Sequence, residues 1–172
     1  MITVRTETAA DIASIRRVEE AAFGRSAEAD LVDALRRRGR VTLSLVAVED
    51  GIVTGHILFT PVTFEGLDGC AVKIEVAGLG PLAVLPASQR RGVGSRLVKA
   101  GLEACRSLGI DAVVVLGHAG YYPRFGFQPA GPLGIRWEVD GHEASFFVAE
   151  LRQGALNGLR GVIRYAPELT GL

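Results

Sequence analysis

The segment Leu82-Ala83-Val84-Leu85-Pro86-Ala87-Ser88-Gln89-Arg90-Arg91-Gly92-Val93-Gly94-Ser95-Arg96-Leu97 decides the fold. Its apolar start reads as the end of a strand, and Pro86 stops that strand. From Gly92 or Val93 a helix begins. Val93, Leu97, Ala100, Gly101, Ala104, Cys105 and Leu108 share one face, while Arg96, Lys99, Glu103 and Arg106 occupy the other. Gly109 stands where a helix C-terminus is capped. The unbroken apolar run Ala112-Val113-Val114-Val115-Leu116 then reads as a strand buried on both faces. Strand, helix and strand in this order predict a right-handed parallel crossover.

Working upstream, residues 72–84 read as one long strand interrupted at Gly78, Gly80 and Pro81. Proline cannot donate to a ladder and glycine inside a strand marks a bulge, so a kink is expected over residues 78–82. Residues 43–48 and 52–64 read as a hairpin about Asp50-Gly51, its second strand broken near Pro61. Residues 2–5 form a first strand. Thr8 and Asp11 have the spacing of a helix start, and two helices are expected, ending near Phe23-Gly24 and spanning residues 27–37. Downstream, a short turn or helix over residues 120–125 precedes strands near Phe127 and over residues 145–151. The tail from Gly154 shows no clear period. Hairpins followed by a crossover make a mixed α/β sheet with helices on both faces.

The chain has 172 residues, enough for one domain, with a core over about residues 1–151 and a C-terminal extension over 152–172. Lys plus Arg equals Asp plus Glu at 19 each, which gives no support for nucleic-acid or membrane-surface partners. The longest apolar stretches fall well short of the roughly 18 residues that span a bilayer. The first residues lack a secretory pattern, so a cytoplasmic address is expected. Cys70 and Cys105 make neither a disulfide framework nor a metal site, and both read as structural. The run Arg36-Arg37-Arg38 reads as a solvated face, or as a hint of an acidic substrate. Glycine is in excess, at 22 residues where average usage of about 7% would give about 12.

Gln89-Arg90-Arg91-Gly92-Val93-Gly94-Ser95 lies between strand and helix. A helix N-terminus carries unpaired N–H groups and partial positive charge, and the two glycines let an anion reach the backbone. Arg90 and Arg91 would add charge at the rim. A helix cap alone also yields Gly-x-Gly. The segment is no Walker loop and lacks the third glycine of a dinucleotide fingerprint.

The same residues resemble the coenzyme A signature of the GNAT acetyltransferase superfamily, Gln/Arg-x-x-Gly-x-Gly/Ala after Val-x-Pro, with matches at Gln89, Gly92 and Gly94. Residues 8–23 resemble the superfamily's first helix. Tyr121-Tyr122-Pro123-Arg124-Phe125-Gly126-Phe127 resembles its late Tyr-x-x-x-Gly-Phe element, in a form similar to a bacterial branch of predicted acetyltransferases. The resemblance covers most of residues 1–150. It implies a mostly antiparallel sheet of about seven strands with a splayed central pair. It implies acetyl-coenzyme A, its pyrophosphate on the amides of Gln89, Arg90, Arg91, Gly92, Val93, Gly94 and Ser95, and its pantetheine arm on Leu82, Ala83 and Val84. A freed N–H near Leu82 would stabilise the oxyanion.

The resemblance also implies Tyr122 as the general acid that protonates the departing thiolate, with Tyr121 the alternative one register away. Relatives often carry an Asn and a longer turn where this chain has Gly117-His118-Ala119-Gly120, so His118 either contacts the cofactor arm or caps the turn. For the base, Glu75 on the kinked strand is expected, with Glu138 and His142 as other candidates; some members need none. No Ser-His-Asp or Cys-His arrangement is visible, which favours direct transfer to a small-molecule or peptide amine over an acyl-enzyme. The same loop also suits a catalytically silent acyl-coenzyme A-binding module. The acceptor pocket is expected between the first two helices, residues 64–70 and residues 137–142. Such domains are often homodimers, and the tail is a candidate for that contact.

Overall fold

The computed structural model describes residues 1–69 and 72–170, so Cys70 lies outside the described residues. The strands are β1 (Ile2–Thr6), β2 (Leu43–Glu49), β3 (Ile52–Gly66), β4 (Val76–Val84), β5 (Ala112–Leu116), β6 (Gln128–Pro129), β7 (Ile135–Trp137), β8 (Phe146–Glu150) and β9 (Gly161–Arg164). The helices are α1 (Ile12–Phe23), α2 (Ala27–Arg37) and α3 (Val93–Ser107). Seven strands lie side by side in the order β1-β2-β3-β4-β5-β8-β6. Along that path β4 and β5 run parallel, as the crossover through α3 requires, and the other pairs are antiparallel.

Alternation along the strands sorts side chains between two helical layers. Leu45, Ala47, Ile57, Phe59, Val113 and Val115 face α3, which presents Val93, Leu97, Val98, Leu102 and Cys105. Val46 and Leu58, one residue out of phase, face Ile15 and Val18 of α1 and Leu31, Val32 and Leu35 of α2. Helices on both faces thus follow from period-2 alternation meeting period-3.6 stripes. A third cluster, including Phe64, Val114, Trp137, Phe146, Val148 and Ile163, joins β5 and β8 to the β7–β9 pair.

Several local expectations are corrected. β3 is continuous through Pro61. The Phe59 carbonyl accepts from the Thr42 N–H on the β2 side. Two residues on, Pro61 faces the same way, past the end of β2 and before β9 pairs at Thr63, so the ladder asks no N–H of it. β4 begins at Val76 rather than residue 72. Leu108 closes α3 as its C-cap and is 58% exposed, off the buried stripe. Residues 120–125 hold a 3-10 turn, Tyr122–Phe125. The tail contributes β9, which pairs with residues 63–66 of β3 within the same chain. Of the arginine run, Arg36 bonds Glu7 and Asp33, and Arg38 bonds Glu168. Cys105 is fully buried, and burial pushes its thiol up to about 12, as suits a packing residue.

Candidate active site

The sheet opens where β4 and β5 part company. Their pairing runs from Val76 opposite Ala112 to Leu79 opposite Val115 and stops there. β4 continues to Val84 on β3 alone, while Leu116 stays with β8 and the Gly117 N–H donates to the Ser145 carbonyl. The cause is local. Ile57 pairs with Leu82 and Phe59 with Leu79, so β4 spends three residues where β3 spends two, and the extra residue falls at Gly80-Pro81. Past it, no strand among the described residues lies beside the backbone edge of residues 80–84 that faces away from β3.

A cleft of 1140 Å³ fills the opening. Leu79, Gly80, Pro81, Leu82 and Val84 form one wall, and Leu116, Gly117 and His118 the other. Ala83, expected to hold the cofactor arm, points the opposite way, into the α1 and α2 layer, has its carbonyl on the β3 side near Gly55, and is not in the cleft lining.

One end of the cleft is the start of α3, with Gln89, Arg90, Gly92, Val93, Gly94 and Ser95 in the lining. Arg90 (φ 60) and Gly92 (φ 85) hold left-handed backbone, which turns the loop into the helix. The first helical N–H with a carbonyl partner is that of Arg96, which donates to Gly92, so Val93, Gly94 and Ser95 present unpaired N–H groups. The Gln89 side chain donates to the Val84 carbonyl at 3.1 Å and ties the loop to the strand. Arg91 is drawn off to Glu49 at 2.6 Å, so its charge, expected at the rim, is spent elsewhere. Arg124, which sequence reading did not single out, lines this end, with its guanidinium 4.4 Å from the Tyr121 ring centroid. Helical N–H groups, Arg90 and Arg124 make an anion cradle that fits a diphosphate.

The two tyrosines divide. The Tyr121 hydroxyl lies over the α3 start, where a Cβ added at Gly94 would stand 2.8 Å from it, and Ser95 is its hydrogen-bond partner. Tyr122 is 8% exposed and lies flat on Gly117, with its ring edge to Phe127. Burial, and then Tyr121 beside it, raises the Tyr122 hydroxyl above its ordinary value, so it stays protonated and able to donate. The His118 carbonyl accepts from both tyrosine N–H groups, and its side chain lines the cleft.

Glu75 does not join this group. It is exposed, stands before β4, and accepts at its carbonyl from the Asp111 and Ala112 N–H groups. Five residues of strand, about 16 Å at 3.3 Å each, separate it from Gly80. Glu138 is turned to Arg164. His142 does line the cleft, packed against Trp137 at 4.9 Å.

The fold brings together three groups that looked unrelated in sequence. Ser44 Oγ is 2.9 Å from His56 Nε2, and His56 Nδ1 is 2.6 Å from Glu19 Oε1. All three are buried, the Ser44 hydroxyl also bonds Glu7, and none lines the cleft. The order of a catalytic triad is present without access, so it supplies no nucleophile.

The walls expected from the first two helices and residues 137–142 are present, as Ala22 and Phe23 of α1, Glu28 and Leu31 of α2, Trp137 and His142; residues 64–69 do not line the cleft, and sequence reading missed Tyr165 and Leu169 of the tail. Tyr165 follows a strand of only four residues. Burial, and then Tyr122, raises the Tyr165 hydroxyl above its ordinary value, so it stays protonated.

Comparison with known proteins agrees with this geometry. The model of the acetyltransferase (GNAT) family matches residues 10–127. The uncharacterized N-acetyltransferase YjhQ of Escherichia coli is 44% identical over 169 residues, covering 94% of this chain and 91% of that protein. The crystal structure of the GNAT family N-acetyltransferase YhbS from Escherichia coli in complex with CoA superposes with TM-score 0.90 at 35% identity, covering 98% of this chain and 92% of that one. A GNAT family acetyltransferase from Brucella melitensis in complex with acetyl-CoA gives TM-score 0.79 at 37% identity, covering 98% of each. With a splayed parallel pair, free amides at the helix that crosses between its strands, and a family match over most of its length, this chain belongs to the GNAT acetyltransferase family.

Proposed function

We propose that the chain transfers acetyl from acetyl-coenzyme A to a primary amine, of a small molecule or a peptide, by direct attack in a ternary complex. The observation that carries this reading is the continuity of one cleft from the unpaired α3 amides to the gap between β4 and β5. When bound, the thioester supplies an acyl carbon already activated toward nucleophiles.

The chain's own groups do the rest. The N–H groups of Val93, Gly94 and Ser95, with Arg90 and Arg124, hold the diphosphate. The edge of residues 82–84 that faces away from β3, where Gln89 holds the Val84 carbonyl, takes the amide-rich arm as a further strand would. An N–H near Leu82 receives the negative charge that develops on the acyl oxygen. The Tyr122 hydroxyl donates its proton to the sulfur as the carbon–sulfur bond breaks, and the new carbon–nitrogen bond takes the place of that bond. The acceptor arrives as an ammonium and must lose one proton before attack and a second after it. One of these restores Tyr122 and the other leaves to water, so amine and thioester become amide, thiol and one released proton.

With Glu75 outside the cleft and Glu138 turned to Arg164, His142 is the one expected base candidate that lines the cleft. Direct attack is supported by Cys105 and by Ser44 of the buried Ser44-His56-Glu19 array, both buried and neither in the cleft lining among the described residues.

The test is Tyr122→Phe, assayed by thiol release with an amine panel and by calorimetry with coenzyme A. Loss of about 100-fold or more in kcat with cofactor affinity kept is expected. Unchanged turnover would remove Tyr122 from the acid role. Tight cofactor binding with no transfer by the unmodified protein would favour the silent module.

A further inference from the structure

The two ends of the cleft differ in charge. Arg90 and Arg124 line the end at α3, whereas Glu28 is the one carboxylate among the described lining residues and comes from α2. Glu28 is buried, and the exposed Arg25 donates from Nε to both of its oxygens, at 3.0 and 3.1 Å. That pairing holds the pKa of Glu28 below the usual carboxylate range, so it stays a carboxylate and is a poor proton acceptor. Other cations near this end are committed: Arg16 to Asp30 and Asp33, and Arg38 and Arg40 to Glu168.

The rest of this end is apolar or aromatic. Phe23 and Leu31 line it from the helices, Leu169 from the tail, and Tyr165 packs edge-on to Trp137 at 5.9 Å. The 3-10 turn Pro167–Leu169 packs against α2, and the Arg38–Glu168 bond of 3.0 Å pins it there. The tail thereby closes this end of the cleft. The Tyr165 hydroxyl is buried and has no hydrogen-bond partner among the described residues. A buried hydroxyl left unpaired costs about 1–3 kcal/mol, so a ligand atom that meets it gains affinity.

We infer that this end selects a cationic amine with an apolar or aromatic body and no carboxylate, with Glu28 opposite its ammonium and the Tyr165 hydroxyl bonded to its nitrogen. A carboxylate on the acceptor would meet the Glu28 carboxylate, whose partner Arg25 is already taken up by both of its oxygens, and desolvating it unpaired is costly. The aromatic walls favour the ammonium by cation–π attraction as well. The expectation of an acidic substrate drawn from residues 36–38 is thereby reversed. The inference rests on the transferase reading but is tested by binding, apart from turnover.

Phenethylamine and phenylalanine differ by one carboxylate. Calorimetry on the coenzyme A-loaded protein should show phenethylamine binding at least about tenfold more tightly. Glu28→Gln should weaken the amine about tenfold, narrow that gap and leave coenzyme A affinity unchanged. Tyr165→Phe, which keeps the ring and its packing, should weaken the amine about fivefold, and it serves as the second variant if Glu28→Gln unfolds. Equal or tighter binding of phenylalanine, no binding of either probe, or an unaltered preference in both variants would overturn the inference. Selective amine binding without thiol release from acetyl-coenzyme A would instead leave it standing and refute the transferase reading.

Discussion

Replacing Gly94 by alanine should separate folding from cofactor binding. Gly94 is the second residue of α3, and the left-handed backbone of the loop is at Arg90 and Gly92 instead. An ideal Cβ at residue 94 would lie 2.8 Å from Tyr121 Oη and 3.7 Å from Val84 Cγ2. The second distance is ordinary contact. The first requires the hydroxyl to retreat by about 0.7 Å, and it is the far end of a side chain that can rotate at little cost. In a helix alanine is favoured over glycine by about 0.5–1 kcal/mol, so the thermal midpoint should hold or rise slightly.

Binding should suffer from the same atom. The methyl group enters the space in front of the α3 amides and pushes Tyr121 out of place. Losing one or two charge-assisted hydrogen bonds, at about 1.5–3 kcal/mol each, means at least a tenfold weaker coenzyme A complex. Calorimetry with coenzyme A, paired with thermal unfolding of the free protein, reads both effects. Gly92→Ala is the contrast: at φ 85 an alanine is strained by about 1–2 kcal/mol, so stability and binding should fall together. If Gly94→Ala binds coenzyme A as tightly as the unmodified protein, the diphosphate does not sit on these amides.

Three further perturbations test the frame around the site. Gly101→Ala places a methyl 2.5 Å from the Phe59 ring, which is fully buried, so denaturant unfolding should show a loss of about 1–3 kcal/mol. Ser44→Ala should cost about 1–2 kcal/mol of stability through the orphaned His56 and Glu7, yet leave kcat within about twofold, since the buried triad is not catalytic. Asp11 accepts two hydrogen bonds from Arg5 and one from the Thr8 N–H, and its carboxyl is held below the usual range by Arg5 first. A depressed acid stabilises above its unfolded value near 3.8 and stops doing so as pH falls through its folded value. Asp11→Asn should therefore lose about 1 kcal/mol at pH 7 and approach the unmodified protein in acid, as followed by thermal midpoints.

What was legible in the sequence is what depends on neighbours in the chain. The α3 stripe, the Asp50-Gly51 hairpin and the 80–81 kink each occupy a few consecutive residues whose chemistry dictates one local conformation. The phosphate loop belongs with them, because its donors are backbone groups that any helix start exposes. Tyr165 and Leu169 were not legible, because tertiary pairing brings them to the cleft. β9 is four residues long and is fixed by a partner about a hundred positions away, Glu65 opposite Val162. Glu75 failed for a related reason: a strand assumed to begin at residue 72 placed it mid-strand, whereas pairing begins at Val76.

The bulge at Gly80-Pro81 explains why one strand can serve both core and cleft. Side chains alternate with period two, so Ala77 and Leu79, which face α3, would be followed on that face by residues 81 and 83. One inserted residue flips the parity. Leu82 and Val84 then fall on the α3 side, where the cleft lies, and Ala83 falls into the α1 and α2 layer, where a small side chain lets Ile15 and Val18 approach. The same insertion coincides with the last β4–β5 pair. Parity and pairing change at one point in the chain, so the edge released by the splay is flanked by side chains already turned toward the cleft. A strand merely frayed at its end would free the backbone but leave Ala83 in the cleft and Leu82 and Val84 against α1. The inserted residue, more than the splay it accompanies, makes this edge a binding surface.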